Sequence, residues 1–388
     1  MSETFISSSG SRIERALLYY ALKDHGLTPW RDVESLELGE QTTDAIEHEL
    51  QRCTTAIVWI NEDILTSPYV AKVELPAIAA VSRRSGLRII PVFDGTSPKE
   101  GCERLSQVSG IEVGESNGLV VDPGLTQDET AAKIAALLAR AELRRAREAG
   151  LPPTIRLVSY RDTAEMRDDA VLNLDWRHHL LGDVLKLPAE QQLRSALERV
   201  TSSLMDVYGA TEVTLAIKAH LPLAVAVGHA FAQPTGCTLR LPRGAGSWMT
   251  SAATMEANRL DQQAGALGPA GSVVSSVEAS VSRNIEAGVN AYVSAGQRFR
   301  HRVMLAPSSG PGRDVLDDAD TANVWARQIG GALVRLVDMP DVERTMFFLA
   351  TPVELAVMIG WWANAGGTID LMNWTGKTGP YERMWTLP

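Results

Sequence analysis

Residues 54–93 read TTAIVWINEDILTSPYVAKVELPAIAAVSRRSGLRIIPVF. Two short apolar runs within this segment, Thr55–Ile60 and Arg88–Phe93, are rich in β-branched residues and predict buried strands. The residues from Ser67 onward predict a helix between them, with a kink near Pro76. Because strands that alternate with helices form parallel sheets covered on both faces, this segment predicts an α/β domain.

The residues before this segment continue the alternation. Phe5–Ser7 predicts a short first strand, and the apolar face of residues 13–21 predicts a helix that Gly26 ends. Leu27–Trp30 predicts another short strand, and Thr42–Arg52 a second helix. Two further strand–helix units therefore precede the quoted segment.

The residues after this segment predict a domain boundary. Residues 95–125 are rich in Gly, Ser and Pro and predict irregular structure, whereas Gln127–Ala149 predicts a long helix. The run Gly150–Pro153 stops that helix. We therefore expect a first domain over 1–140, a helical linker over 141–153 and a second domain over 154–388.

Composition limits the possible functions. The 388-residue chain is 45% hydrophobic and 22% charged, which is typical of globular protein, and its net charge of −10 disfavours a duplex-DNA binder. Its three cysteines are widely spaced, so neither a disulfide framework nor a zinc site is expected, and a cytoplasmic location is. The apolar runs Leu221–Ala232 and Leu355–Ala365 are too short to span a bilayer.

Residues 212–241 and 344–372 form a weak internal repeat. Both segments predict strand, loop, apolar helix and strand, and Leu223-Ala224-Val225 and Gly228 recur at an offset of 132. The low identity leaves chance as an alternative. A duplicated α/β unit places a shared ligand near the carboxyl ends of its strands.

The order of motifs in the first domain resembles that of a TIR domain. The matching motifs are Phe5–Ser7, Trp30-Arg31-Asp32, the strand at 55–60 and the segment Ser67–Glu74, although Ser8 departs from the aromatic residue often found there. The resemblance implies a flavodoxin-like parallel sheet and covers residues 1–140. It also implies an NAD⁺ nucleosidase whose key residue is Glu74.

A single carboxylate suits this chemistry. Nicotinamide leaves as a neutral group, so no general acid is needed, and a carboxylate stabilises the oxocarbenium-like transition state. The alternative for Glu74 is that of a surface residue near the start of a helix, where the helix dipole favours an acidic side chain. The alternative for Asp32 is a loop-shaping role, and the alternative for Trp30 is a position in the core. The expected NAD⁺-contacting residues are Phe5, Ser7, Ser8, Trp30, Asp32, Ser67 and Tyr69.

Residues 155–388 resemble a SAVED domain. The cues are the paired strand–loop–helix units, the helix at 224–228, the helix start Thr351–Ala356 and the ending Tyr381–Trp385. Such domains are similar to two fused CARF-like units and sense cyclic oligonucleotides in bacterial anti-phage (CBASS) systems. The resemblance therefore implies a cyclic oligoadenylate as ligand, with three nucleotides as the expected ring size.

Candidate ligand contacts follow predicted strands. Phosphates need donors in loops where helices begin, and bases need stacking partners. For Lys218, a solvent-facing role is the alternative, and for His220 a structural one. The expected ligand-binding residues are Tyr160, Arg161, Lys218, His220, Ser308, Ser309, Thr351, Trp374 and Lys377.

The sequence favours a ligand-activated enzyme over two alternatives. In the favoured hypothesis, the second domain binds the cyclic nucleotide, and TIR domains then assemble head to tail into a filament and hydrolyse NAD⁺. The alternatives are a non-enzymatic adaptor and an enzyme that transfers ribosyl groups from nucleosides. No cofactor, metal, DNA or membrane partner is expected: residues 47–49 and 178–179 read as a solvated helix face and a turn.

Overall fold

A computed structural model describes residues 3–8, 12–30, 42–111, 118–161, 170–209, 211–232, 235–250, 258–265, 268–269, 271–364, 367–376 and 381–388. The chain divides into two compact units, one formed by Met1–Leu151 with Arg167–Leu174, the other by Pro152–Met166 with Asp175–Pro388. The division at Leu151 follows a helix that runs through residue 140 without a break. The linker predicted over 141–153 therefore begins inside that helix.

The first unit alternates strands and helices over the residues that the structure describes. Its elements are β1 Glu3–Ser8, α1 Arg12–Asp24, β2 Thr28–Trp30, α2 Thr42–Arg52, β3 Cys53–Ile60, α3 Glu62–Thr66, a π-helical turn Val70–Glu74, α4 Leu75–Ser85, β4 Arg88–Phe93, α5 Pro98–Ser109, β5 Leu119–Val120 and α6 Gln127–Glu148. The five strands form one sheet in the order β2-β1-β3-β4-β5, and every pair is parallel. The predicted flavodoxin-like sheet is confirmed.

Two local predictions for this unit are wrong. Residues 95–125 contain the helix α5, which begins where the Ser97 side chain accepts a hydrogen bond from the Glu100 amide and ends at Gly110 with a left-handed φ of 70°. Only Gly101 and Leu105 of this helix are buried, so its apolar face is too small to stand out in the sequence. The predicted kink near Pro76 is instead a π-helical turn before that residue.

The second part of the chain contains more strands. Its elements are β6 Thr154–Val158, β7 Leu172–Asp175, β8 Leu180–Leu181, β9 Val184–Leu185, α7 Ala189–Tyr208, β10 Glu212–Lys218, α8 Leu221–Ala230, β11 Thr238–Arg243, β12 Gly246–Met249, β13 Asp261–Ala264, β14 Val274–Ser280, α9 Glu286–Ser294, β15 Arg302–Ala306, α10 Ala319–Val337, β16 Arg344–Ala350, α11 Val353–Trp362, β17 Thr368–Trp374 and β18 Tyr381–Leu387. In one sheet β12, β11, β10 and β6 are neighbours in that order, and a second sheet has the order β13-β15-β14-β16-β17-β18.

The internal repeat is confirmed as two equivalent β–α–β units. In the first, β10 and β11 are parallel with Glu212 opposite Thr238. In the second, β16 and β17 are parallel with Arg344 opposite Thr368. The strand registers therefore correspond, with the offset of 132 at the first strand and 130 at the second.

The two repeats meet where α8 and α11 cross. A Cβ atom on Gly228 would overlap the carbonyl oxygen of Val357, and one on Gly360 would overlap that of Val225. The two contacts exchange when the repeats exchange, which is the pattern that a two-fold relation produces. Glycine at both positions lets the helix backbones touch, and the surrounding residues of both helices are buried.

Among the described residues, no helix combines the length and the apolar character needed to cross a bilayer.

We predict that Gly228→Ala lowers the free energy of unfolding by about 2–4 kcal/mol, because the new methyl group has only backbone to displace. Denaturant unfolding measures this change. Gly331→Ala is the matched control: it lies inside α10, where a Cβ would sit 3.3 Å from the flexible end of Arg335. There alanine should leave the stability unchanged or raise it, as helix propensity favours. Equal effects of both substitutions would contradict the close crossing.

Candidate functional sites

The sheet of the first unit has a topological switch point between β1 and β3. The chain moves from β1 outward to β2 and then returns to the other side of β1. In doubly wound sheets of this order, ligands bind outside the carboxyl ends of the strands at that point. Ser7 and Ser8 end β1 there, opposite Val58 and Trp59 of β3.

A buried carboxylate lies at this switch point. The hydroxyl of Ser7 donates to Oε2 of Glu74 at 2.7 Å, and the two residues are 0% and 7% exposed. They are 67 positions apart in the chain, so only the folded sheet brings them together. The bond fixes the direction of the Glu74 carboxyl group at the end of β1.

Glu74 is presented by an irregular helical turn. The amide of Leu75 donates to the carbonyl oxygen of Val70, five residues back, which widens the helix. Val70 and Leu75 are both in the core and hold the turn in place. Single π-helical turns are frequent at functional sites because they re-aim one side chain while the helix continues.

The aromatic residues predicted to contact NAD⁺ lie in different environments. Phe5 and Trp30 stack on each other with ring centroids 5.1 Å apart and are 1% and 8% exposed, so both rings are core side chains here. Tyr69 is 39% exposed, directly before the π-helical turn. Of the aromatic candidates, Tyr69 is therefore the one whose ring a ligand can reach.

The polar candidates of the first unit also separate. The Ser8 hydroxyl is buried and has no hydrogen-bond partner among the described residues. The Ser67 hydroxyl accepts a bond from the Val70 amide at 3.4 Å and so caps the turn that carries Glu74. Asp32 lies outside the described residues. The structure thus joins Ser7, Ser67 and Glu74 around one turn.

In the second unit, the predicted ligand contacts follow the carboxyl ends of parallel strands. Tyr160 and Arg161 follow β6, His220 follows β10 and Thr351 follows β16. Lys218 and Trp374 are the last residues of β10 and β17, Ser308 and Ser309 form a turn after β15, and Lys377 lies outside the described residues.

The centre of this region is a buried histidine. Ser159 Oγ lies 2.7 Å from His220 Nδ1 and accepts a bond from the His220 amide at 2.9 Å. His220 Nε2 lies 3.1 Å from a carboxylate oxygen of Asp183, and the Tyr160 ring packs on the imidazole at 4.3 Å. Because a carboxylate only accepts, Nε2 carries the proton of a neutral ring and Nδ1 accepts from the Ser159 hydroxyl.

Burial lowers the pKa of His220, and the hydrogen bond and charge of Asp183 oppose that shift only in part. The Ser–His–Asp order resembles that of hydrolases, but Ser159 is 1% exposed and its hydroxyl is already engaged. The arrangement holds Asp183 in position and does not present a nucleophile.

The strand ends of the second repeat carry different side chains. Arg283 stacks over the Trp374 ring at 5.9 Å, and Trp374 packs edge-on against Tyr381 at 5.1 Å. Thr351 is 7% exposed, and its hydroxyl has no hydrogen-bond partner among the described residues. This buried hydroxyl lies just before α11, where a helix begins and donors suit an anion.

Sequence reasoning missed Ser159, Asp183 and Arg283. Ser159 directly precedes the predicted Tyr160, so its neighbour was a usable signal. Asp183 lies in the Gly182-Asp183 turn between β8 and β9, and such a turn indicates a hairpin rather than chemistry. Asp183 and His220 are 37 positions apart in the chain, so only the folded structure shows that they are in contact.

We predict that stability falls as pH decreases through the ordinary histidine pKa of 6.5. Burial lowers the pKa of His220 in the folded state, so the unfolded chain binds the proton more strongly and acid favours unfolding. His229 is shifted in the same direction. His220→Gln should therefore reduce the loss of melting temperature between pH 7 and 5, while His48→Gln, exposed on α2, should not. An unchanged pH slope in His220→Gln would contradict the neutral, buried imidazole.

Comparisons with known proteins match both halves of the chain. Residues 5–116 match the TIR domain family, and residues 196–387 match SAVED, described as the SMODS-associated and fused to various effectors sensor domain. A comparison with curated proteins gives no match.

Two solved structures share the fold. One is an Acinetobacter baumannii Cap4 SAVED/CARF-domain containing receptor with the cyclic trinucleotide 3′3′3′-cAAA: the TM-score is 0.52 at 14% identity, over 91% of this chain and 86% of that chain. The other is the same receptor with 2′3′3′-cAAA, with a TM-score of 0.52 at 14% identity over 98% of each chain.

Proposed function

This chain joins an N-terminal TIR domain to a C-terminal SAVED domain, and from that premise we propose that it is a nucleotide-activated NAD⁺ hydrolase. A cyclic oligoadenylate binds the SAVED domain, and the TIR domain then cleaves NAD⁺ into nicotinamide and an ADP-ribose product. Depletion of NAD⁺ stops an infected cell, which is how such an effector acts against phage.

The observation that carries the enzymatic part is the Ser7–Glu74 bond at the switch point. In the reaction, the bond between ribose C1′ and the nicotinamide nitrogen breaks and its electrons stay on nicotinamide. Water then forms the new bond to C1′ and loses a proton. Glu74 faces the positive charge that develops on the ribose, and the Ser7 hydroxyl keeps its carboxylate aimed.

Two features support a cyclic oligonucleotide as the activator. The Cap4 receptors that share this fold hold cyclic trinucleotides. In this chain, the same unit gathers an exposed aromatic residue, Tyr160, a buried unpartnered hydroxyl, Thr351, and an Arg283–Trp374 pair at its strand ends. Aromatic faces stack on bases, and hydroxyl and arginine donors suit phosphates.

Activity in the absence of ligand would be lethal, so the resting protein must be silent. A ligand acts only through different affinities for two states. Head-to-tail association of TIR domains provides such states if neighbouring copies complete one site around Glu74. A heterologous contact of this kind extends into a filament.

We predict that wild-type protein releases nicotinamide from NAD⁺ only when cyclic tri-adenylate is present. Glu74→Gln should lower that release by at least about 100-fold, because the amide cannot offset the charge of the transition state. Chromatographic quantification of nicotinamide measures both. Glu47→Gln, an exposed carboxyl on α2, is the control and should keep full activity. Release by Glu74→Gln at the wild-type rate would rule out the assignment, and no release with any cyclic nucleotide would favour an adaptor.

We also predict that ligand changes the size of the protein. Size-exclusion chromatography with light scattering should show a small species alone and a large one with cyclic tri-adenylate, and Glu74→Gln should still assemble. Because this variant separates assembly from chemistry, an active protein that stays monomeric would exclude the shared-site mechanism.

A further inference from the structure

Each repeat of the SAVED domain pairs with one more parallel strand, β6 in the first and β14 in the second, and these strands are counted with their repeats below. The two extended repeats have equivalent backbones but different side chains at one pair of positions. Val158 lies opposite Lys218, and Ser280 lies opposite Ala350. Ser159 follows Val158 after β6, and its amide donates to the carbonyl oxygen of Lys218. In the same way, Val281 follows Ser280 after β14, and its amide donates to the carbonyl oxygen of Ala350. Ser159 and Val281 are therefore equivalent positions.

The offset of 132 places Pro352 where the first repeat has His220. The Ser159–His220 pair of the first repeat is thus replaced by Val281 and Pro352 in the second. The same backbone folds with apolar side chains at these positions, so packing does not require the polar pair. Burying a hydroxyl and an imidazole has a cost that the second repeat avoids.

The polar pair fixes one exposed group, the carboxylate of Asp183. His220 is 3% exposed and donates to it at 3.1 Å, while the Asp183 side chain remains 48% exposed. The backbone oxygen of Asp183 accepts from Asn373 Nδ2 at 2.8 Å, and Asn373 belongs to β17 of the second repeat. Asp183 is therefore held between strand ends of both repeats, from a hairpin whose Leu181 is 70% exposed.

A fixed carboxylate is an unusual group beside a site for phosphates, because it repels them. It needs a donor on the ligand. In a 3′–5′-linked cyclic nucleotide, the free 2′-hydroxyl is on the carbon next to the one that bears the phosphate. The base amino groups lie farther from the phosphate. If the ligand places a phosphate near the start of α8, directly after His220, the ribose hydroxyl is the donor closest to Asp183.

We propose that Asp183, positioned by the Ser159–His220 pair, accepts a hydrogen bond from a ribose 2′-hydroxyl of the cyclic ligand and so selects ribonucleotides over deoxyribonucleotides. This inference rests on nucleotide binding by the SAVED domain. The selection arises in the first repeat alone, since the second has no equivalent pair. An unsatisfied carboxylate facing a deoxyribose makes the wrong ligand costly, which is how hydrogen-bonding sites discriminate.

Calorimetric titration of the full chain with 3′3′3′-linked cyclic tri-adenylate and with its 2′-deoxy analogue tests this proposal. Wild-type protein should bind the ribose form at least about tenfold more tightly, the effect of one hydrogen bond to a charged group. Asp183→Asn should reduce that preference to less than about threefold. His220→Gln keeps the carboxylate but removes its support and should give an intermediate preference. Asp261→Asn, exposed on β13, is the control and should keep the full preference.

Several outcomes would overturn the proposal. Equal binding of both ligands by wild-type protein would do so, as would full discrimination by Asp183→Asn. If Asp183→Asn bound both ligands more tightly and by the same factor, Asp183 would only repel the ligand phosphates. The inosine analogue of cyclic tri-adenylate lacks the base amino groups. If wild-type protein preferred the adenine ligand over that analogue and Asp183→Asn lost this preference, Asp183 would bind a base amino group rather than the ribose. Absence of binding of either ligand to wild-type protein would remove the proposed sensing function itself, a result distinct from binding without selection.

Discussion

Two helix backbones touch in the centre of the SAVED domain. Gly228 lies under a carbonyl of α11, and Gly360 lies under a carbonyl of α8. No other residue leaves room for this approach, because any Cβ would meet backbone that has no rotamer to change. The crossing fixes how the two repeats face each other, and with it the positions of the strand ends that carry Tyr160, His220, Thr351 and Trp374.

Both domains bury a polar side chain at the same kind of position. Glu74 in the TIR domain reaches the carboxyl end of β1 from a π-helical turn, and His220 in the SAVED domain follows β10. Each is held by a serine at or directly after the end of a parallel strand, Ser7 or Ser159. Burial makes these groups costly unless they are hydrogen-bonded, and the serine bonds also fix their direction. Each of these side chains is therefore held in place by the fold itself.

The repeats show how one backbone supports different chemistry. Their strand registers and helix crossing correspond closely, yet the first has a serine–histidine pair where the second has valine and proline. A ligand that bridges the two repeats meets an acidic, hydrogen-bonding side and an aromatic, arginine-bearing side. Such asymmetry gives a near-symmetric frame the means to orient a ligand.

Local pattern and spacing in the sequence predicted most of the strands and helices of the fold. The alternation around residues 54–93 predicted the parallel sheet and the offset of 132 predicted the repeat, whereas the Ser67–Glu74 motif pointed to Glu74 only through its resemblance to TIR domains. Helix α5 escaped because it buries only Gly101 and Leu105 and so leaves little periodicity to read. A core position for Trp30 was among the alternatives that the sequence left open, but its stacking on Phe5 was not predicted, since a sequence shows that a ring is apolar but not what covers it.

Contacts between residues far apart in the sequence could be seen only in the tertiary structure. Ser7 meets Glu74 across 67 positions, and His220 meets Asp183 across 37. Neither pair has a local pattern, because side chains at strand ends and in hairpin turns are not constrained by the periodicity of the elements they follow. The order of the strands brings the two members of each pair to the same edge of a sheet. Their hydrogen bonds therefore form only in the folded protein.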